Sequence, residues 1–436
     1  MKIFKFGGAS IKDAEGFKNV ADIIRSEQSS RLLVVVSALG KTTNALEKIL
    51  EAFYYGAREE GKNMLIAMAE EHCYMLRDIM GKEFKKVYPE ITEFIVELTE
   101  YLNRDEFSEN YNYVYDQVVS FGELFSSKML YWYLNHEHIP AKWLDVRTVI
   151  RTDNNYREAC VDWDKTVKKA QKIISPYYNS NNPITPSSPI VVTQGFIGGT
   201  SEKYSTTLGR EGSDYSAAIL AYVLDAESVT IWKDVEGLLN ADPKIFEDTV
   251  KLDKIPYREA IELAYYGASI IHPKTLQPLQ KKGIPLHVKS FADREGTGSI
   301  ISDFDIKRLV PCYIVKPNQV LISISPKDFS FIAEDNLSTI FGLFACFGVK
   351  INLMQSSAIS FSLCVDNKSN IKELIEKLQT EFYVKYNFNM ELFTIRYYNQ
   401  SSIDKITKNK TVILEQKNRT TVQYVMQSEP RSKIKF

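Results

Sequence analysis

Lys5 stands two residues before the pair Gly7-Gly8, with Ser10 just beyond. At the end of a strand, paired glycines let backbone N–H groups approach phosphate oxygens closely, and a neighbouring lysine can neutralise charge during group transfer. The same pair is also the composition of a plain turn, and no Walker loop with its Gly-Lys-Ser/Thr ending is present. A second constellation is Gly195-Phe196-Ile197-Gly198 followed by Thr206-Thr207-Leu208-Gly209-Arg210-Glu211-Gly212-Ser213-Asp214, leading into the apolar stretch Ala217 to Leu224. It offers glycine-exposed N–H groups, a helix start capped by Ser213 or Asp214, an arginine suited to bidentate carboxylate recognition, and a carboxylate. A capped helix with a surface ion pair would account for less of this coincidence. The third is Trp232-Lys233-Asp234-Val235-Glu236-Gly237, followed by Ala241-Asp242-Pro243-Lys244, at the end of a predicted strand. Ligands of α/β proteins gather at such ends, although two turns would look the same. Gly296-Thr297-Gly298 lacks the strand and helix of a dinucleotide fingerprint. His136-Glu137-His138 lacks ligand spacing on a helix, so no metal site is assigned, and His272 reads as a structural histidine.

The elements that must hold these residues follow from periodicity. Met1 to Phe6 reads as a strand, Gly7 to Lys12 as a loop, and Asp13 to Glu27 as a helix with Phe17, Val20, Ala21 and Ile24 on one face. Arg31 to Val36 is a continuous apolar run of the kind buried parallel strands carry. Ala45 to about Asn135 is largely helical, with an Asn- and Tyr-rich interruption expected at Glu109 to Tyr115. Strands return at Ala141 to Val146, Ile190 to Gln194, Ser228 to Trp232 and Pro285 to Lys289, and Tyr178 to Pro189 reads as a surface loop. After about Ser302 the order becomes strand (Val320 to Ser325), helix (Asp335 to Phe347), strands (Lys350 to Met354, Ala358 to Val365) and helix (Ser369 to Thr380). A strand near Leu392 to Tyr397 and a hairpin over Val412 to Met426 follow.

The 436 residues are enough for two or three domains, and 54 Lys+Arg against 55 Asp+Glu create no global field for nucleic acid or anionic membrane. From Ile403 onward eight Lys/Arg face three Asp/Glu with few aromatics between them, the pattern of a solvated basic surface. Five scattered cysteines without a C-x-x-C pair argue against a disulfide framework or zinc site. No leader pattern or membrane span is read, so a cytoplasmic location with neither nucleic-acid nor membrane partners is expected.

Together, in this order, the three constellations resemble the aspartate kinases of the amino-acid kinase family. Ser37-Ala38-Leu39-Gly40-Lys41-Thr42-Thr43-Asn44 is similar to that family's second loop, Ser120-Phe121-Gly122-Glu123 to its S-x-G-E segment, and Gly267-Ala268 with His272-Pro273 to its G-A-K-x-x-H-P segment. The likeness runs from Lys2 to about Asp366 and is weakest near residues 60 to 115 and in the final 50 residues. It implies an α/β fold, a mostly parallel sheet flanked by helices, in a catalytic domain over 1–305. An aspartate half over about 1–200 and a nucleotide half over about 201–305 would compose that domain. An α+β ferredoxin-like ACT regulatory region would follow over 306–436, its second ACT domain truncated unless earlier strands complete it. The implied reaction is Mg2+·ATP plus L-aspartate giving ADP and 4-phospho-L-aspartate, the entry step toward lysine, threonine and methionine.

Carried over residue by residue, the resemblance implies that Lys5 stabilises the transferring phosphoryl group and that Gly7, Gly8 and Ser10 cradle phosphates. Asp214 would organise the site with Lys5. Arg210 would clamp the substrate α-carboxylate and Glu123 would pair with its α-ammonium, with Ser37, Thr43, Thr207 and Ser213 completing the pocket. Lys233, Asp234, Asp242, Lys244 and Ser269 would attend the nucleotide. Four positions depart from the pattern: Ala9 for a hydroxyl residue, Glu211 for a glycine, Lys233 for a threonine and Ser269 for a lysine, with Lys233 or Lys274 as substitutes for that charge. In the regulatory region Asn352, Gln355, Ser356 and Ser357 are candidates to contact an amino-acid effector, lysine or threonine. Asn352 and Ala358 replace acidic residues there, which questions lysine recognition. Association into homo-oligomers through this region is also implied. The alternatives are another small-carboxylate kinase, such as a glutamate 5-kinase, and a catalytically silent sensor.

Overall fold

Apolar runs at Lys2–Phe6 (β1) and Leu32–Val36 (β2) pair in parallel, Phe6 opposite Val36, with Ala14–Ser26 (α1) crossing between them. The Asp13 side chain accepts from Gly16 N and caps α1, and Phe17, Val20, Ala21 and Ile24 are buried, the face the spacing predicts. The computed structural model describes residues 1–27, 31–104, 107–178, 188–268, 271–305, 310–328, 330–428 and 434. The chain divides into two units, the first comprising Met1–Leu238, Leu252–Ile261 and Ile270–Asp305.

The first unit is built on an eight-stranded sheet with the order β3-β4-β2-β1-β7-β9-β10-β8. Its further strands are Ala141–Leu144 (β3), Ile190–Gln194 (β4), Ser228–Lys233 (β7), Lys254–Pro256 (β8), Leu286–Ser290 (β9) and Ser299–Ser302 (β10). Ile197–Gly199 (β5) and Ser205–Thr207 (β6) form a separate antiparallel hairpin. All neighbours in the main sheet are parallel except β9 and β10. Burial on both faces explains why β2 is a continuous apolar run and why β4, buried throughout, opens on Ile190-Val191-Val192.

Four helices fill the predicted helical section: Thr42–Tyr54 (α2), Arg58–Met80 (α3), Phe84–Leu102 (α4) and Tyr111–His136 (α5). The break expected through Tyr115 ends earlier, because Asn110 accepts from Tyr113 N and starts α5 at Tyr111. Helix α5 is buried along most of its length and carries Asp116, Ser120 and Glu123 at helical spacing on one face. Trp163–Ile173 (α6), Gly212–Val223 (α7), Tyr257–Tyr266 (α8) and Pro273–Lys282 (α9) follow, α8 passing to the second unit from Glu262 on.

The second unit takes in Leu239–Lys251 and Glu262–Ser269 as well as Ile306–Phe436, so two segments upstream of residue 305 belong to it. Its six-stranded sheet has the order β12-β13-β11-β14-β16-β15. Two fifteen-residue strands, Cys312–Pro326 (β11) and Phe382–Arg396 (β14), form its antiparallel centre. The later half of β11 combines with Glu334–Cys346 (α10), Ile351–Ser356 (β12), Phe361–Asp366 (β13) and Ile371–Glu381 (α11) in the predicted βαββα order. The earlier half answers the question of the short tail: Cys312 to Lys316 pairs with Leu392 to Arg396, beside Gln400–Thr407 (α12), Val412–Lys417 (β15) and Thr421–Gln427 (β16). Earlier residues thus complete the final lobe, and Phe246 packs into its core with Tyr313, Phe393 and Tyr424. Register shifts between Lys316 and Leu321, around Asn318 with φ of 52°, mark where the two lobes meet on β11. Among the described residues no helix is long and apolar enough to cross a membrane.

Candidate active site

Beyond the carboxyl ends of β1, β2 and β7 lies a cleft of about 610 Å³. Its lining includes Lys5, Gly8, Ser37, Thr43, Glu123, Thr207, Arg210, Ser213, Asp214 and Lys233. Gly8 shows why the first loop is glycine-bearing: a Cβ there would lie 2.4 Å from the Ala38 carbonyl oxygen and 2.9 Å from that of Gly40. The loop after β1 is thereby pressed against the loop after β2, and Gly40 N donates to Gly8 O at 3.2 Å. Ser10 lies in the turn beyond, its Oγ buried without a hydrogen-bond partner in the described structure.

At the floor, Lys5 Nζ lies 2.7 Å from Asp214 Oδ1, and Lys233 Nζ lies 3.3 Å from Asp214 Oδ2. Asp214 sits in the first turn of α7, where a negative charge also meets the positive end of the helix dipole. Burial alone would raise its carboxyl pKa; the charges and hydrogen bonds of Lys5 and Lys233 outweigh burial and hold it below the ordinary carboxylate value.

Glu123 is fully enclosed at another wall, where Ala38 N donates to Oε1 at 3.3 Å. Its Oε2 is buried and has no hydrogen-bond partner among the described residues. Desolvation pushes the Glu123 pKa up to about 8, against the lowering influence of the Ala38 N–H and the Lys5 charge. Arg210 is exposed on the loop before α7 and lines the same cleft. An enclosed carboxylate oxygen and a guanidinium are complementary to the ammonium and carboxylate of an α-amino acid.

Thr207 is held by a residue that sequence reasoning missed. Asp116 accepts from Thr207 N at 2.8 Å, from Thr207 Oγ1 at 2.8 Å and from Arg157 N at 3.0 Å, so one buried carboxylate ties β6 and the Arg157 loop to α5. Burial raises its pKa to about 6 despite these donors. Its position seven residues before Glu123 on one helix was the available signal. Tyr115, Arg157, Glu158 and Phe196 also line the cleft unforeseen, with the Arg157 guanidinium 3.9 Å from the Tyr115 ring centre and 2.9 Å from Glu47. Glu211, in the left-handed region at φ 54°, accepts from His272 N at 2.8 Å and so fastens the start of α9 to the start of α7. The glycine expected there is replaced by a residue with a bond to make.

Not every expected residue joins the cleft. Gly7 precedes the turn and does not line the cavity, although a Cβ on it would lie 3.6 Å from Lys5 Nζ. Asp234 is exposed and outside the lining. Asp242 and Lys244 fall in the second unit, where Asp242 Oδ1 accepts from Lys244 N at 2.8 Å in a local turn. Ser269 lies outside the described residues. Of the effector candidates, Asn352 is engaged: its amide accepts from Lys316 Nζ at 2.8 Å and donates to Gln319 Oε1 at 2.8 Å and Asp366 Oδ1 at 2.9 Å. Gln355, Ser356 and Ser357 are exposed, with Ser357 Oγ 2.7 Å from Ser360 Oγ.

A model of the amino acid kinase family matches residues 1–290. The lysine-sensitive aspartokinase 3 of Escherichia coli is 31% identical over 373 residues, covering 84% of this chain and 78% of its own length. The chloroplastic bifunctional aspartokinase/homoserine dehydrogenase 2 of Arabidopsis thaliana is 28% identical over 395 residues, 87% of this chain but 42% of its own. The chain therefore spans less than half of that bifunctional relative. Among solved structures, E. coli aspartokinase III in complex with aspartate and ADP superposes with a TM-score of 0.80 at 26% identity, covering 98% of this chain and 96% of that one. The same enzyme in complex with lysine and aspartate gives 0.80 at 26%, covering 98% and 95%.

Proposed function

The chain belongs to the amino acid kinase family, with the aspartokinases as its relatives, and we propose that it transfers the γ-phosphoryl group of ATP to the β-carboxylate of L-aspartate. The products are ADP and 4-phospho-L-aspartate. One observation carries this reading: the Lys5–Asp214 pair shares a single cleft with Arg210 and with Glu123, whose buried Oε2 has no partner among the described residues.

The chemistry needs little from the protein beyond positioning and charge. Phosphoryl transfer passes through a loose transition state whose charge lies on the phosphoryl oxygens. The acceptor carboxylate is already ionised at neutral pH, its ordinary pKa being about 3.9, so no general base is required. Lys5 faces the transferring group, and Asp214 holds that ammonium at a fixed place on the sheet. Backbone N–H groups of the loop around Gly8 receive phosphate oxygens, while the Ser10 hydroxyl, buried beyond the cleft lining, stays behind that loop. Arg210 and Glu123 grip the α-carboxylate and α-ammonium, which aims the β-carboxylate at the phosphorus. A magnesium ion, brought in with the nucleotide, would supply further positive charge to the phosphates. Among the described residues no three His, Cys, Asp or Glu side chains form a metal set.

The second unit is our candidate place for an amino-acid effector, lysine or threonine, and for association of copies; the likeness to the lysine-bound E. coli enzyme supports the effector part of this reading. With Asn352 already bonded to Lys316, Gln319 and Asp366, accessible effector contacts fall to Gln355, Ser356 and Ser357.

Steady-state kinetics on Arg210→Ala tests the acceptor assignment. Loss of a charge-assisted contact of about 1.5–3 kcal/mol raises KM for aspartate roughly tenfold to a hundredfold while KM for ATP stays near wild type. Equal changes in both constants would sink it.

A further inference from the structure

Lys5 is the fourth residue of β1, and Lys233 is the last of the adjacent parallel strand β7. The register sets Lys5 beside Ile231 and Phe6 beside Trp232. Side chains alternate faces along a strand, so Lys233, two residues after Ile231, leaves the sheet on the same face as Lys5. Its backbone is anchored from the other side: Lys233 pairs with Ser290 on β9, and its carbonyl accepts from Phe291 N at 3.0 Å. Both ammonium groups converge on Asp214, one per carboxylate oxygen, at 2.7 Å and 3.3 Å. They differ in depth. The Lys5 side chain is 10% exposed and that of Lys233 22%, and both line the cleft.

The two ammonium groups gathered on Asp214 are thus both placed to meet an anion arriving in the cleft they line. We propose that Lys233 is a second catalytic cation, contacting the polyphosphate of the nucleotide beside Lys5 and offsetting the charge that develops on the leaving diphosphate. This rests on the phosphoryl-transfer reading above. In that step a bond forms between an acceptor carboxylate oxygen and the γ-phosphorus, and the bond from that phosphorus to the β–γ bridging oxygen breaks. The electron pair passes to ADP and no proton moves, so the departing oxygen gains charge. Lys5 and Lys233 flank the place where that charge grows, and the rigid strand ends hold them without reorganisation.

The test compares Lys233→Met, which keeps length and loses charge, with Lys233→Arg, which keeps charge. Steady-state kinetics and calorimetric titration with Mg·ADP and with AMP are run beside wild type. The proposal expects Lys233→Met to lower kcat by about a hundredfold, the scale of one lost charge-stabilising donor. It also expects Mg·ADP to bind about tenfold more weakly, with AMP affinity and KM for aspartate near wild type and most of the loss recovered in Lys233→Arg. Wild-type kcat and Mg·ADP affinity in Lys233→Met would overturn it. So would equal loss for ADP and AMP that arginine does not restore, because that marks a role confined to holding Asp214. If Lys233→Met and Lys233→Gln both fail to fold, the lysine is structural and the proposal is wrong. Should wild type lack aspartate-dependent turnover, the acceptor reading fails by itself; the ADP-against-AMP comparison still decides the role of Lys233.

Discussion

Glu123 turns burial into a pH dependence. With its pKa pushed up to about 8, it holds a proton in the empty protein at neutral pH, and the charged form costs the fold increasingly as pH rises toward that value. An incoming ammonium favours the carboxylate and expels the proton. Aspartate affinity therefore rises with pH, up to roughly tenfold per unit, and levels off above about 8. Calorimetry in buffers of differing ionisation enthalpy should register the released proton, and pH-independent binding without proton release would contradict the assignment. Asp116 yields a second expectation. In Asp116→Ala the N–H groups of Thr207 and Arg157 lose the oxygen they share and the Thr207 hydroxyl loses its acceptor, leaving buried donors unpaired at about 1–3 kcal/mol. A rise in KM for aspartate with little change for ATP is the outcome to look for; unchanged kinetics would detach Asp116 from the acceptor wall. At this scale the sequence displayed residue types better than partners. Lys5 and Asp214 were readable as reactive groups, but their pairing depends on strand and helix packing. Asp116 sat outside every motif; its spacing from Glu123 places the two on one face of α5 but does not name the backbone groups of Thr207 and Arg157 as its partners. Lys233 was readable as a charge in place of a threonine near the nucleotide, but not as a partner of Asp214, which the packing of β7 against α7 decides.

The loops after β1 and β2 work as one element. Gly8→Ala would drive a Cβ into two backbone carbonyls that no rotamer change can move, whereas at Gly7 a Cβ meets only the end of the Lys5 side chain at 3.6 Å. Gly8→Ala should therefore cost about 1–3 kcal/mol and weaken nucleotide binding, while Gly7→Ala stays closer to wild-type stability. Denaturant unfolding of the two variants side by side measures the difference, and equal stabilities would remove the close approach as the reason for this glycine. Element legibility followed the strength of the periodic signal. Helix α1 and strands β2 and β4 matched their predicted spans closely, because amphipathic spacing and short apolar runs are local properties. The start of α5 was hidden, since Asn110 looked like loop composition until its side chain was seen to cap Tyr113 N. Strand β11 was cut short at Val320, because its first half is specified by pairing with Leu392 to Arg396, about eighty residues away in the chain.

At the scale of the molecule, the first unit carries the whole cleft and the second unit carries the shared sheet of β11 and β14. The order of motifs made the family readable from sequence, and the family match over residues 1–290 agrees with it. The recruitment of Leu239–Lys251 into the second unit was not readable, since long-range packing of Phe246 decides it. The central claim is a kinase whose acceptor is aspartate. Its most direct test is ADP formation in Mg·ATP with aspartate, with glutamate and without acceptor, trapping the acyl phosphate with hydroxylamine. The account predicts ADP and aspartyl hydroxamate in equal amounts with aspartate, and neither product above background without it. ADP release that ignores aspartate, or a folded protein that turns over glutamate in preference, would contradict it.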